Sequence, residues 1–211
     1  MMEERLIHGP DCVAEGVAYL CNIEPRFETA FAETGPLPLR LRKDGFSALL
    51  DAIVSQQISV AAADSIWEKL KKAKFTSAKA MRVAPEEDLR ACGLSRPKIR
   101  YAKALADASI NYRRLHNTSM ENVVNTLTEV TGIGKWTAEI YAMFSLARAD
   151  GFAAGDLALQ ESARILFDLK DRPSEKQLEE MAEAWRPWRS VAARQLWAYY
   201  RIAKQREGIR T

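Results

Sequence analysis

The chain has 211 residues, a hydrophobic content of 47% and a net charge of +3 at pH 7. This length suits one sizeable core or two small lobes, and the composition is typical of a soluble globular protein. We expect no membrane span, because no stretch approaches about 18 uninterrupted apolar residues, and no signal peptide at the acidic N-terminus. The scattered cysteines Cys12, Cys21 and Cys92 argue against a disulfide framework and favour a reducing cytosol.

Helical periodicity runs through the chain, and no segment alternates like a strand for long. Serines at positions 59, 119 and 174 are predicted to cap helices, since their hydroxyls can accept a backbone N–H bond. We therefore predict an all-α fold of about ten helices joined by short loops. The predicted helices are Asp11–Cys21, Glu24–Glu33, Gly45–Gln57, Val60–Lys72, a short helix between Pro85 and Gly93, Pro97 to about Tyr112, Met120–Thr128, Gly134–Leu146, Asp156–Phe167, one after Ser174, and Trp188 to about Arg206.

The last predicted helix is rich in basic residues. It is either an electrostatic footprint for phosphates or a solvated helix face. An apolar stripe of Trp188, Ala192, Leu196, Tyr199 and Ala203 is expected to face the core. The basic residues from position 186 onward are Arg186, Arg189, Arg194, Arg201, Lys204, Arg206 and Arg210.

The segment with the most functional information is Gly132-Ile133-Gly134, which lies between two predicted helices. Glycine lets backbone N–H groups come close to a phosphate, because no Cβ stands in the way. The N–H groups of Gly132, Gly134 and Lys135 can converge on one phosphate oxygen. Side chains of Lys135 and Thr137 can add contacts that position a duplex without reading its sequence. The alternative is a tight turn between helices, in which glycine is common.

A carboxylate, Asp156, follows downstream at the start of another apolar helix. Such a group could act on nucleic acid that the glycine hairpin holds. Its alternative role is to cap the helix that follows, and the two roles are compatible.

Four motifs in this chain resemble the helix–hairpin–helix DNA glycosylases, and in particular the DNA-3-methyladenine glycosylase II branch. The similarity runs from about Gly45 to Ala203 and fits the short members, which lack an N-terminal β-rich domain. The four motifs are Val130–Ala138 with Gly155-Asp156, Ile53–Ala63, Gly93–Lys98, and Trp185–Ser190 with Trp197.

The resemblance implies two helical lobes with a DNA-facing active-site cleft between them. One lobe would comprise residues 1–40 and 150–211 and carry the catalytic aspartate; the other would comprise residues 41–149 and carry the helix–hairpin–helix at about 120–146. It also implies a base excision repair enzyme that flips out alkylated purines of the N3-methyladenine and N7-methylguanine type and hydrolyses the N-glycosidic bond.

Residue roles follow from the same resemblance. Asp156 matches the catalytic aspartate, and Trp136 stands where bifunctional relatives carry a catalytic lysine, so we expect no strand-cleaving lyase step. Trp136, Trp197 and Ile140 are predicted to line the base pocket, although some members have an aromatic residue at the position of Ile140. Gln57 matches the wedge residue that fills the gap left by the flipped base. Some members have Leu at this position.

The resemblance also bears on cofactors and partners. No cysteine follows Cys92, so the iron–sulfur cluster of other branches is not expected, and no cofactor is required. Backbone carbonyls of Thr128, Val130 and Ile133 match a structural site for Na⁺ or K⁺ at the hairpin. We expect a monomer that acts on double-stranded DNA with damaged bases, without a membrane, in a bacterial-type cytosol or nucleoid.

Two alternatives stay open at this stage. The first is a helix–hairpin–helix glycosylase for deaminated or oxidised purines. The second is a non-catalytic DNA-binding module, which Asp156 disfavours because a pure binding module has no need of a carboxylate in that register.

Overall fold

The computed structural model describes residues 4–204 and is 65% helical, with no strand in that part of the chain. This confirms the all-α prediction. None of the described helices is both long and apolar enough to cross a membrane. The helices are α1 Pro10–Ile23, α2 Pro25–Thr34, α3 Phe46–Ser55, α4 Val60–Lys72, α5 Ala78–Val83, α6 Glu86–Ala91, α7 Arg96–Asp107, α8 Tyr112–Leu115, α9 Met120–Thr128, α10 Lys135–Phe144, α11 Leu157–Leu166, α12 Glu175–Ala182 and α13 Arg189–Lys204, with a 3₁₀ helix at Glu183–Trp185.

The polar residues that start several helices act as the sequence predicts. The hydroxyls of Ser59, Ser119 and Ser174 each accept a backbone N–H bond in the first turn of α4, α9 and α12. In α12 the side-chain oxygen of Gln177 accepts a hydrogen bond from the backbone N–H of Ser174, which completes a capping box. These caps satisfy N–H groups that have no partner within the helix and so fix where each helix begins.

The chain folds into two compact units. One unit is Arg42–Tyr141, and the other comprises the described residues through Leu41 together with those from Ala142 onward. The sequence predicted the second boundary between the two units between residues 149 and 150, but it lies between Tyr141 and Ala142. The reason is a backbone pairing in which Ala149 N donates to Arg5 O (2.9 Å) and Ile7 N donates to Ala147 O (2.8 Å). That pairing ties residues 147–149 to the N-terminal segment.

The unit Arg42–Tyr141 is built around α3 and α7. Helix α3 packs on α4 and α7, and α7 packs in turn on α5 and α6. Its core side chains include Leu49, Leu50, Ile53 and Leu105, which are at most 1% exposed. This unit carries the turn after α3 and the hairpin between α9 and α10.

The other unit is built around α13, which packs on α1, α2 and α11. The sequence predicted one apolar stripe on this helix, but every residue from Ser190 to Ala198 is buried. The stripe prediction was incomplete because small and polar residues such as Ser190 and Gln195 are also enclosed by neighbouring helices. It was wrong at the C-terminal end of the helix, where Tyr199 is only half-buried and Ala203 is exposed. Helix α13 is therefore the central helix of this unit, and it lies directly beside α11.

Candidate functional site

The glycine hairpin is a rigid turn between the end of α9 at Thr128 and the start of α10 at Lys135. Gly132 has a φ of +98°, and a Cβ there would lie 2.3 Å from Cγ of Tyr101. Both the backbone conformation and the neighbouring ring therefore require glycine at this position. Val130 and Ile133 are buried, and Ile133 N donates to Val130 O (3.0 Å), which closes the turn.

Gly134 lies in a different environment from Gly132. Its φ is outside the left-handed region, and nothing lies within 4 Å of the place where its Cβ would be. Neither strain nor packing explains a glycine here. What the missing side chain provides is open space, through which a group outside the chain can approach the backbone closely.

The side chains that follow the hairpin differ in exposure. Lys135 is half exposed, with its Nζ 3.7 Å from Oε1 of the buried Glu139. Thr137 is buried. Of the two side chains predicted to contact a phosphate, that of Lys135 is accessible at the surface, whereas that of Thr137 is almost completely buried.

The turn after α3 is fixed to the hairpin. Gln56 Nε2 donates to Gly132 O (3.0 Å), and Lys98 Nζ donates to Val54 O (2.6 Å). Burial lowers the pKa of the Lys98 ammonium. Gln57 is exposed and has a φ of +57°, which is rare for a residue with a Cβ. A residue with a Cβ keeps this rare backbone conformation only where the surrounding contacts stabilise it. Here those contacts are the hydrogen bonds that fix the turn.

These segments enclose one groove of about 560 Å³ within the unit Arg42–Tyr141. It brings together the predicted wedge residue and the two predicted phosphate-binding glycines. The sequence did not indicate that the start of α7 would join them, because that segment is distant along the chain. The lining residues are Gln56, Gln57, Ser95, Pro97, Lys98, Tyr101, Gly132, Ile133 and Gly134.

Asp156 lies in the other unit and caps α11. Its Oδ1 accepts hydrogen bonds from the backbone N–H groups of Ala158 (2.9 Å) and Leu159 (3.0 Å). The same oxygen accepts a bond from Nε1 of Trp197 (3.2 Å). Three donors thus orient a carboxylate that is 9% exposed. The predicted capping role is confirmed.

Trp197 is placed differently from a simple aromatic wall. Its side chain is 1% exposed, and its ring packs against Phe144 with centroids 5.9 Å apart. The indole therefore presents almost no surface to a ligand, and its N–H group is what reaches Asp156. Sequence reasoning missed this hydrogen bond because the two residues lie far apart in the chain.

The other two predicted pocket residues belong to α10. Trp136 is 43% exposed, so its ring has a large surface available. Ile140, one turn later, is 7% exposed. Of the three predicted pocket residues, Trp136 is therefore the one whose side chain is most accessible.

The basic residues near the C-terminus are mostly engaged within the chain. Arg186 and Arg189 both form ion pairs with Asp150 and Glu183, and Lys204 pairs with Glu161 (3.2 Å). Arg194 is buried. Both surface alternatives are wrong for Arg194, because the core encloses it. For the other three residues the ion pairs with nearby carboxylates reduce the net positive charge that a phosphate footprint needs. Arg206 and Arg210 lie outside the described residues.

The described part of the chain contains no group of three or more His, Cys, Asp or Glu side chains that could hold a metal ion. The predicted carbonyl set is chemically different, since neutral backbone oxygens suit a monovalent cation. The Val130 carbonyl accepts one bond from Ile133 N, which leaves its second lone pair for a cation.

Comparison with known proteins decides the family. Residues 50–187 match the profile of the HhH-GPD superfamily of base excision DNA repair proteins. The chain belongs to this superfamily. The match covers the turn after α3, the hairpin and Asp156, so the predicted resemblance is confirmed.

Individual HhH-GPD relatives agree with this assignment. The chain is 31% identical over 178 residues to DNA-3-methyladenine glycosylase 1 of Schizosaccharomyces pombe, covering 80% of this chain and 78% of that protein. A DNA-3-methyladenine glycosidase from Bacillus halodurans superposes with a TM-score of 0.82 at 26% identity, covering 98% and 96% of the two chains. The S. pombe 3-methyladenine DNA glycosylase in complex with abasic DNA superposes with a TM-score of 0.76 at 27% identity, covering 90% and 97%.

Proposed function

We propose that this protein is a monofunctional DNA glycosylase that removes N3- and N7-alkylated purines from duplex DNA in base excision repair. The observation that carries the proposal is the Asp156 carboxylate, oriented by three hydrogen-bond donors on one oxygen. Relatives named as 3-methyladenine glycosylases support the choice of alkylated purines as substrates.

The proposed chemistry needs little more than a well-placed negative charge. Methylation at N3 or N7 makes the purine cationic, so the base leaves as a neutral molecule when the bond to C1′ breaks. The sugar then resembles an oxocarbenium ion. The Asp156 carboxylate stabilises that cation electrostatically and orients a water molecule. The oxygen of this water bonds to C1′, and the carboxylate accepts the proton that the water loses.

Access to the bond requires that the nucleotide leave the base stack, which costs a few kcal/mol and least for a damaged base. We propose that Gly132, Gly134 and Lys135 grip a backbone phosphate at the start of α10. Gln57 fills the space that the flipped base leaves and can hydrogen-bond the orphaned partner. The exposed position of Gln57 and the open space at Gly134 support these roles.

We propose further that the reaction stops at the abasic site. A lyase step needs an amine that forms a Schiff base with the sugar. Trp136 has no amine, and Lys135 is one residue away, about 100° around the helix. Its proximity to Glu139 (3.7 Å) supports a role outside the chemistry.

The remaining proposals concern the environment of the reaction. Carbonyls of Thr128, Val130 and Ile133 would hold a Na⁺ or K⁺ ion that bridges the hairpin to a phosphate, and no other cofactor is needed. The protein would act as a monomer on damaged duplex DNA in the cytosol or nucleoid.

The proposal is tested by chromatography of bases released from methylated duplex DNA. We expect free N3-methyladenine and N7-methylguanine from the wild-type protein. Release of deaminated or oxidised purines instead, from a matched panel of lesion duplexes, would favour the other glycosylase specificity. Binding of these duplexes without release of any base would contradict an enzymatic role.

Replacing Trp136 by Ala should slow release of cationic bases by about tenfold, the size expected for loss of a desolvated cation–π contact. Binding to undamaged duplex should change little, and Trp136→Phe should retain much of the rate because it keeps an aromatic face. Single-turnover release and fluorescence binding measure the two effects. Equal losses in both would show that the indole does not stack on the base.

A further inference from the structure

Arg194 is an arginine enclosed in the core of the unit that carries Asp156, with 1% exposure. Its Nε and Nη2 donate to Leu39 O (3.3 and 3.1 Å), and its Nη1 donates to Ser190 O (2.8 Å) and to the Ser190 hydroxyl. Within the described residues these acceptors are all neutral oxygens. Burial, and to a lesser extent the nearby charge of Arg40, lowers the pKa of Arg194 to about 9.

This arginine is still cationic at neutral pH, and a buried cation without a carboxylate partner is costly to the fold. A well-packed apolar side chain would often serve stability as well or better. Its presence therefore calls for a role other than filling the core.

The next contact leads towards Asp156. The Arg194 Cζ lies over the ring of Phe144, 4.8 Å from the centroid. Phe144 ends α10, and its ring packs against Trp197 at an interplanar angle of 38°. Arg194 and Trp197 are three residues apart and so share one face of α13, while Phe144 comes from another helix. The cation–π contact holds Phe144 against that face.

The last contact is the hydrogen bond from Trp197 Nε1 to Asp156 Oδ1 (3.2 Å). Ser162 of α11 donates to Leu196 O (2.6 Å), so the two helices are also tied together beside this bond. An indole N–H donates along one direction only, and a shift of the ring would therefore misalign the bond.

We propose that Arg194 is a positioning residue for the Asp156 carboxylate, acting through Phe144 and Trp197. The inference rests on the proposed function, in which Asp156 is the catalytic group. A guanidinium suits this role because its planar fork can bond Leu39 and Ser190 while its face covers an aromatic ring. An ammonium is a point charge and cannot do all three.

The test is a double-mutant cycle in single-turnover release of N7-methylguanine from a duplex, with the protein in saturating excess. Trp197→Phe keeps a ring and removes the donor, and Arg194→Met removes the cation at similar length. We expect each variant to be about tenfold slower. The double variant should be no slower than the slower single variant, because both changes break the same connection. Affinity for an abasic-site duplex should stay within about twofold of wild type.

Matched variants keep the test decisive. Lys176→Met removes an exposed charge from α12 and should leave the rate unchanged, whereas Arg194→Lys should remain slow. If Arg194→Met does not fold, Phe144→Leu replaces it in the cycle. A wild-type rate in Arg194→Met, a double variant about a hundredfold slower, or parallel losses of rate and affinity would overturn the positioning role. If Asp156→Asn releases base at the wild-type rate, the proposed function itself fails, whatever the Arg194 variants do.

Discussion

Asp156→Asn should release alkylated bases at least about a hundredfold more slowly than the wild-type protein, because the neutral amide cannot stabilise the developing sugar cation. The amide oxygen can still accept the bonds from Ala158 N, Leu159 N and Trp197 Nε1 that Asp156 Oδ1 accepts. Asn is as good a helix cap as Asp, so thermal stability should stay close to that of wild type. Single-turnover release and thermal unfolding measure the two quantities.

Asp156→Ala is the control that separates capping from catalysis. It removes both the charge and the cap of α11, so it should be equally inactive and also less stable by about 1 kcal/mol. An Asp156→Asn variant that loses activity only in proportion to its loss of stability would show that the carboxylate serves the fold alone.

Gly134→Ala should weaken binding to duplex DNA by about tenfold, because a methyl group would occupy the space through which a phosphate reaches the backbone N–H groups. Thermal stability should be unchanged or slightly raised, since the site has open space and its φ is outside the left-handed region. Fluorescence anisotropy with undamaged duplex and a thermal melt measure the two effects.

Gly132→Ala is the matched variant and should behave in the opposite way. Its φ of +98° and the Tyr101 ring at 2.3 Å make a Cβ costly, by about 2 kcal/mol or more. Its thermal stability should therefore fall, whereas the affinity of the folded variant for duplex DNA should change less. If Gly134→Ala binds duplex DNA like wild type, the phosphate contact assigned to that backbone is wrong.

Much of the fold could be predicted because local chemistry determines it. Helices α4 and α9 begin where the sequence predicted because Ser59 and Ser119 cap their first turns, and both also end at the predicted residues. Helix α7 was expected to continue to about Tyr112 but ends at Asp107, and Ser109 beyond it has a φ of +48°. The short helices α5 and α8 were missed, because six and four residues are too few to show helical periodicity.

The candidate site divides in the same way. Asp156 as a helix cap and the hairpin between α9 and α10 are local features, and the sequence indicated both. The bonds from Gln56 to the hairpin, from Trp197 to Asp156 and from Arg194 to Leu39 join distant segments. Arg194 was taken for part of a basic surface, because nothing in its sequence neighbourhood distinguishes a buried arginine from an exposed one.

The central claim is hydrolysis of a glycosidic bond by Asp156 without cleavage of the strand. Its most direct test is a gel of an end-labelled duplex with one N7-methylguanine, incubated with wild type or Asp156→Asn and then divided between buffer and a purified abasic-site endonuclease. We predict an intact strand in buffer for both proteins and a break after the endonuclease for wild type alone. A break in buffer, or equal endonuclease-dependent breaks with both proteins, would contradict the account.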